Sequence, residues 1–219
     1  MAVLAKICGL NDAASLDAAL RHGAAFVGFV FYPPSPRSIR PEQAAELAAG
    51  ATGTAQKVGL FVDPDDTDII EVLEKMTLDW IQLHGSESPE RVKDIKTRFG
   101  LPVIKAVKID SAASLKAIPS YDGIADMLLF DAKEPKNTEN ALPGGNGLAF
   151  DWELLAGIRI STPWMLAGGL NAGNIADAIR ISKARIVDTS SGVEFEPGRK
   201  DPAAIEAFLK AVAKIETEE

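Results

Sequence analysis

The stretch AKICGL holds the only cysteine of the 219-residue chain, Cys8, where a short apolar run meets glycine. A thiol in that position, taken alone, reads as a small buried core residue, and it serves in proton transfer only if its surroundings tune it. Asp131 is more pointed. It is a carboxylate set directly at the end of a strongly apolar run, MLLF, and it opens a polar, Gly/Pro-rich stretch from Ala132 to Asp151. Arg37 lies in YPPSPRS, whose prolines stiffen a loop and hold a guanidinium ready to grip a carboxylate through two parallel hydrogen bonds; the alternative is a solubilising surface arginine. His84 in QLHG and Asp188 in DTSSGVE end two further apolar runs. The most specific signal is a pair of loops, one with Gly168, Gly169 and Asn171 before a helix, the other with Ser190, Ser191 and Gly192 after a strand. Glycines let backbone N–H groups approach an anion and a helix N-terminus adds a favourable dipole, so the pair reads as a phosphate site that needs no basic patch.

Other features carry less. His22 falls in the last turn of an expected helix beside Gly23, where an imidazole suits the helix dipole, and is given no role. DPDDTD has the outline of a calcium loop with Glu74 at its twelfth position, but Asp68 stands where that loop requires glycine, so it reads as acidic residues at a helix start. The P-x-x-P spacing of YPPSPR falls between a strand and a helix and reads as a stiff loop rather than a ligand for small adaptor modules.

Composition narrows the partners. A net charge of −8 and a pI near 4.9 disfavour a sequence-independent hold on nucleic acid, leaving small molecules as the expected ligands. One thiol forms no internal disulfide, and two histidines with one cysteine at no close spacing supply no metal site, so the setting is a reducing cytoplasm. No run reaches the ~18 apolar residues of a membrane span, and MAVLAKICGL lacks the basic-then-apolar form of a leader, so no membrane partner is expected.

These residues must be positioned by something, and the chain supplies βα units. Near-continuous apolar runs predict strands at Leu4–Cys8, Phe26–Phe31, Lys57–Val62, Trp80–Leu83, Val103–Val107, Met127–Phe130, Trp164–Ala167 and Arg185–Thr189. Between them helices are expected over Asp12–His22, Pro41–Ala49, Thr67–Met76, Pro89–Phe99, Ser111–Ile118, Trp152–Ile158, Ile175–Lys183 and Pro202–Lys214, with Gly23 and Gly100 at C-caps. The 47% apolar content suffices for one core, and no linker interrupts residues 1–219. An α/β fold of the (β/α)8, or TIM, barrel type in a single domain follows. The rival, an open doubly wound sheet, usually shows G-x-G-x-x-G after its first strand, where this chain has CGLND. A barrel puts its chemistry at the C-terminal strand ends, where Cys8, Arg37, Asp63, His84, Lys108, Asp131 and the two glycine loops all lie. The stretch after Asp131 then reads as a closing lid, with Gly144, Gly145 and Gly147 as its joints.

With these residues in place the chain resembles the phosphoribosylanthranilate isomerase family along essentially its whole length. The resemblance rests on KICGL, GFVFYPPSPRSI, VGLFV, QLHG, LLFD, LPGGNG with FDW, LAGGLN, and VDTSSGVE followed by PGRKD, in that order. It implies a (β/α)8 barrel and an Amadori rearrangement of N-(5-phosphoribosyl)anthranilate to 1-(2-carboxyphenylamino)-1-deoxyribulose 5-phosphate in tryptophan biosynthesis, with no metal and no cofactor. It further implies Asp131 as general acid, Cys8 as general base, Arg37 on the anthranilate carboxylate, Asp188 at the sugar hydroxyls or reacting centre, and the glycine and serine loops on the phosphate. His84 is open to two readings, a pocket wall or a structural histidine. A base at Cys8 requires a thiol held below its ordinary range near ~8.5. A monomer or homodimer is expected. Two other classes stay open on the residues alone: a related aminoaldose isomerase of histidine synthesis, usually built on paired aspartates, and a phosphate-ligand sensor without catalysis.

Overall fold

The computed structural model describes residues 2–50, 54–133, 144, 145, 147 and 149–215. Eight strands, β1 (Leu4–Cys8), β2 (Phe26–Val30), β3 (Gln56–Phe61), β4 (Trp80–Leu83), β5 (Val103–Ile109), β6 (Met127–Ala132), β7 (Trp164–Leu166) and β8 (Ile186–Thr189), pair in parallel in chain order. Registers Leu4↔Ile186 through Ile7↔Thr189 join β8 to β1 and close the barrel. The helices α1 (Ala13–Arg21), α2 (Pro41–Gly50), α3 (Asp66–Lys75), α4 (Pro89–Phe99), α5 (Ile175–Ser182) and α6 (Pro202–Ala213) follow strands 1 to 4, 7 and 8.

Local chemistry sets their ends. The Asp12 side chain accepts from Ser15 N at the start of α1, and Ser88 accepts from Arg91 N with Pro89 opening α4. DPDDTD proves to be a capping box, Asp65 and Asp68 each accepting the other's backbone N–H at the start of α3. Gly100 closes α4 in the left-handed conformation.

Two expected helices are shorter and tighter than the sequence suggests. Ser111–Ile118 becomes a 3-10 segment over Ser114–Ser120, which includes Pro119 with no N–H to offer, and Trp152–Ile158 becomes a 3-10 turn over Trp152–Leu155. Strands β5 and β6 run further than expected, so Lys108 and Asp131 lie inside them instead of beyond them. After β8 comes a 3-10 turn (Ser191–Val193) and a small hairpin that the sequence did not announce, β9 (Glu194–Glu196) with β10 (Arg199–Lys200).

Strand alternation divides the core. Ile7, Phe29, Phe61 and Phe130 face the helices, while Phe26, Val58, Ile104, Leu129 and Met165 fill the barrel's interior. Towards the C-terminal strand ends the interior narrows to Cys8, Val30 and Leu60. Among them the barrel buries charged and polar side chains, notably Lys6, Gln82, Lys105 and Asp188. Burying an ion is costly unless it is paired, so those groups need partners inside the barrel. No described helix is long and apolar enough to cross a membrane.

Candidate active site

Lys6 and Cys8 are two apart on β1 and therefore share its inward face. Across the β1–β8 seam Lys6 stands in register with Asp188, and its Nζ meets Asp188 Oδ1 at 2.9 Å in full burial. Burial works against the Lys6 ammonium, yet Asp188 and Cys8 outweigh it and hold its pKa above the ordinary lysine value. The Cys8 thiol departs from the requirement stated above. Burial pushes it up from the ordinary range, Lys6 and Lys200 pull it back, and Asp188 adds to the rise; the net direction is up. Burial thus favours the protonated thiol, against the pull of Lys6 and Lys200.

Asp131 lies on β6, separated from β1 by β7 and β8. Its Oδ1 accepts from Ala132 N at 2.9 Å and its Oδ2 lies 3.2 Å from His84 Nε2. The other ring nitrogen, Nδ1, is 3.0 Å from Gln82 Nε2. The His84 ring lines the cleft and bonds Asp131.

Arg37 is neither a surface arginine nor free to grip a ligand with both prongs. It is 5% exposed, and Nε and Nη2 each donate at 2.8 Å to the Glu194 carboxylate, Nη2 also reaching Gly145 O at 3.0 Å. The two parallel bonds expected for a substrate thus face β9 of the protein itself, leaving Nη1 without a hydrogen bond among the described residues. Lys200 of β10 completes the strut, bonding Glu194 Oε1 at 2.7 Å and Ser190 O at 2.9 Å. Burial opposes the Glu194 charge, but Arg37 and Lys200 prevail and keep its carboxyl below the usual range.

The two glycine loops meet beside this strut. Gly168 and Gly169 both have positive φ, +89° and +62°, and a Cβ on Gly192 would run into the Leu170 carbonyl, so neither loop accepts a larger residue. Ser190 Oγ donates to Cys8 O at 3.0 Å, tying the second loop to the end of β1. Asn171 is displaced from the expected role: it does not line the cleft, its N–H is taken by Asn174 Oδ1 at 2.8 Å, and its own Oδ1 accepts from Gly173 N. Of the expected lid, residues 134–143, 146 and 148 lie outside the described residues; Gly144 and Gly145 sit over the mouth. A Cβ on Gly144 would stand 2.7 Å from His84 Nε2, and one on Gly145 would strike Arg37. The result is a cleft of about 740 Å³, open mouth included, whose wall contains Cys8, Arg37, His84, Asp131 and Asp188.

Two glycine loops, a carboxyl and a thiol around one cleft fit sugar-phosphate chemistry of several kinds. A family model described as N-(5'phosphoribosyl)anthranilate (PRA) isomerase matches residues 5–211. The chain belongs to the N-(5'-phosphoribosyl)anthranilate isomerase family. Isomerases of that name from Paracoccus denitrificans and Paramagnetospirillum magneticum are 56% and 53% identical, over 98% and 96% of this chain and 100% and 97% of theirs. Among solved structures, phosphoribosyl anthranilate isomerase of Thermotoga maritima is similar with a TM-score of 0.85 at 34% identity, covering 97% of this chain and all of that one. Another isomerase, in complex with reduced 1-(o-carboxyphenylamino)-1-deoxyribulose 5-phosphate, has a TM-score of 0.82 at 32% identity over 97% of this chain and 100% of its own. A further structure is of monomers generated from the dimeric Thermotoga maritima isomerase.

Sequence reading gave no role to Lys6, Gln82, Glu194 or Lys200, although all but Gln82 carry charge and all four lie in the quoted motifs. The usable signal was alternation: two residues before Cys8 and before His84 stand polar side chains that a parallel strand must turn to the same inner face.

Proposed function

We propose that residues 1–219 form one barrel domain, monomeric or homodimeric, that isomerises N-(5-phosphoribosyl)anthranilate with Asp131 as acid and Cys8 as base. Asp131 gives its proton to the furanose ring oxygen as the C1–O bond breaks, and the anilino nitrogen lone pair forms the C1=N iminium. Cys8, its own thiol proton first released to water, takes the C2 proton as the thiolate; the electron pair set free forms C1=C2 and the nitrogen recovers its pair. The enol that results becomes the ketose by moving its hydroxyl proton to C1. The observation that carries the reading is one cleft lined by Cys8 and Asp131, with the glycine loops after β7 and β8 between their strands.

The raised thiol fixes an order. Cys8 acts second, because burial favours its protonated form and the thiol must release that proton before it can serve as base. The iminium formed in the acid step brings a positive charge beside it and acidifies the C2 hydrogen, while Lys6 supplies a permanent cation on the other side. Backbone N–H groups of Gly168, Gly169, Ser191 and Gly192 hold the 5-phosphate, and Arg37 meets the anthranilate carboxylate through Nη1, its plane fixed by Glu194.

The experiment is a stopped-time fluorescence assay following loss of phosphoribosylanthranilate, with the ketose identified by mass and retention. Conversion supports the reading; tight binding without product would make the protein a sensor, and faster turnover of the histidine-pathway aminoaldose would make it that isomerase. Within the same assay, Arg37→Ala lowers kcat/KM by roughly 10–100-fold, chiefly through KM. An unchanged kcat/KM removes the carboxylate clamp.

A further inference from the structure

Gln82 is fully buried on β4, two residues before His84, and its Nε2 lies 3.0 Å from His84 Nδ1. Its Oε1 is also buried and has no hydrogen-bond partner among the described residues. The one polar contact of the Gln82 side chain among the described residues is therefore with the imidazole. An amide N–H that donates to Nδ1 makes that nitrogen an acceptor and puts the ring proton on Nε2, 3.2 Å from Asp131 Oδ2. A second proton at Nδ1 would face the amide N–H head-on.

We propose that Gln82 is a positioning residue that keeps His84 a neutral Nε2–H donor beside Asp131. The inference rests on the reading of Asp131 as the acid. An imidazolium in that place would hold the carboxyl ionised and remove the proton that ring opening needs; a neutral ring leaves Asp131 able to carry it and still offers a hydrogen bond to the carboxylate left behind. The other charged groups around the ring are already engaged. Lys105 of β5 pairs with Glu87 at 2.7 Å, and Asp63 after β3 accepts from Ser86 N. Arg37 pairs with Glu194 and Asp188 with Lys6, leaving Cys8 and Tyr32 as titratable groups of the cleft wall; Lys108 of β5 stands in register with Asp131.

The test has two parts. The chain has two histidines, so 15N NMR of the native enzyme, with His22→Gln to assign the rings, reads the His84 tautomer directly. A neutral ring protonated at Nε2 at neutral pH is expected; an imidazolium, or a ring protonated at Nδ1 alone, overturns the proposal. In Gln82→Glu, whose carboxylate would accept from Nδ1–H and favour the imidazolium, kcat at neutral pH falls roughly 10-fold or more, part of the ~10²–10⁴ an acid supplies. KM stays within about twofold, and the loss of kcat on the acid side moves to higher pH than in wild type. A folded Gln82→Glu with the wild-type pH profile overturns the inference alone if Asp131→Asn is inactive; an active Asp131→Asn overturns the acid assignment beneath it.

Discussion

Cys8→Ala and Asp131→Asn each lower kcat by about 100-fold or more while KM moves far less, as follows when a proton-transfer group is removed from a site that still binds its substrate. Both substitutions are mild for the fold. Cys8 belongs to a small inner cluster with Val30 and Leu60, and alanine there removes one sulfur. Asparagine at 131 retains an oxygen to accept from Ala132 N and loses only the transferable proton. The arms separate by order of events: Asp131→Asn stalls before ring opening, so Cys8 sees no iminium, whereas Cys8→Ala permits ring opening and stalls at C2. The double variant should therefore be little slower than Asp131→Asn alone, because removing a later group adds little once the earlier step fails. Steady-state fluorescence on all three variants decides it. Turnover within about threefold of wild type in either single variant ends that residue's assigned role.

What the sequence made legible, and what it hid, follows from the barrel itself. Its strands are buried on both faces and read as apolar runs, so their ends stood out, and with them Cys8, His84, Asp131 and Asp188. The inner face stayed hidden because a lysine or glutamine inside a short strand looks like a solvent-facing residue until closure is known. Lys6 and Gln82 are such cases, and Lys105 on β5 is a third, buried and paired with Glu87. Arg37 was legible as a held guanidinium but not in what holds it, since Glu194 is 157 positions away on a three-residue strand too short to announce itself. Asn171 misled for a local reason: between a glycine loop and a helix it looks like an anion ligand, while Asn174 three residues on captures its N–H. The 3-10 segments escaped because apolar spacing over one or two turns fits either helix type, and only Pro119 hinted at the tighter one.

Lys6→Met should produce two separable defects. The first is in stability: with the ammonium gone, Asp188 is left as a buried carboxylate without its 2.9 Å partner, a loss of about 3–5 kcal/mol in denaturant unfolding. Adding Asp188→Asn removes the stranded charge and recovers much of that. The second defect is in the thiol. Cys8 is the sole cysteine, so its alkylation by iodoacetamide as a function of pH reports its protonation without background. A cation beside a thiol favours the thiolate, so losing Lys6 makes Cys8 hold its proton to higher pH, the alkylation midpoint rises and kcat falls by roughly 10–100-fold. The double variant discriminates, because Asp188 acts on Cys8 in the opposite sense: its charge raises the thiol, and its removal lowers it. Lys6 is the larger of the two influences, so Lys6→Met/Asp188→Asn should be nearly as stable as wild type yet keep a raised alkylation midpoint. A lysine that merely braces the barrel predicts a loss of stability with no change in the thiol, so a wild-type alkylation midpoint in Lys6→Met would show that the ammonium does not act on the base.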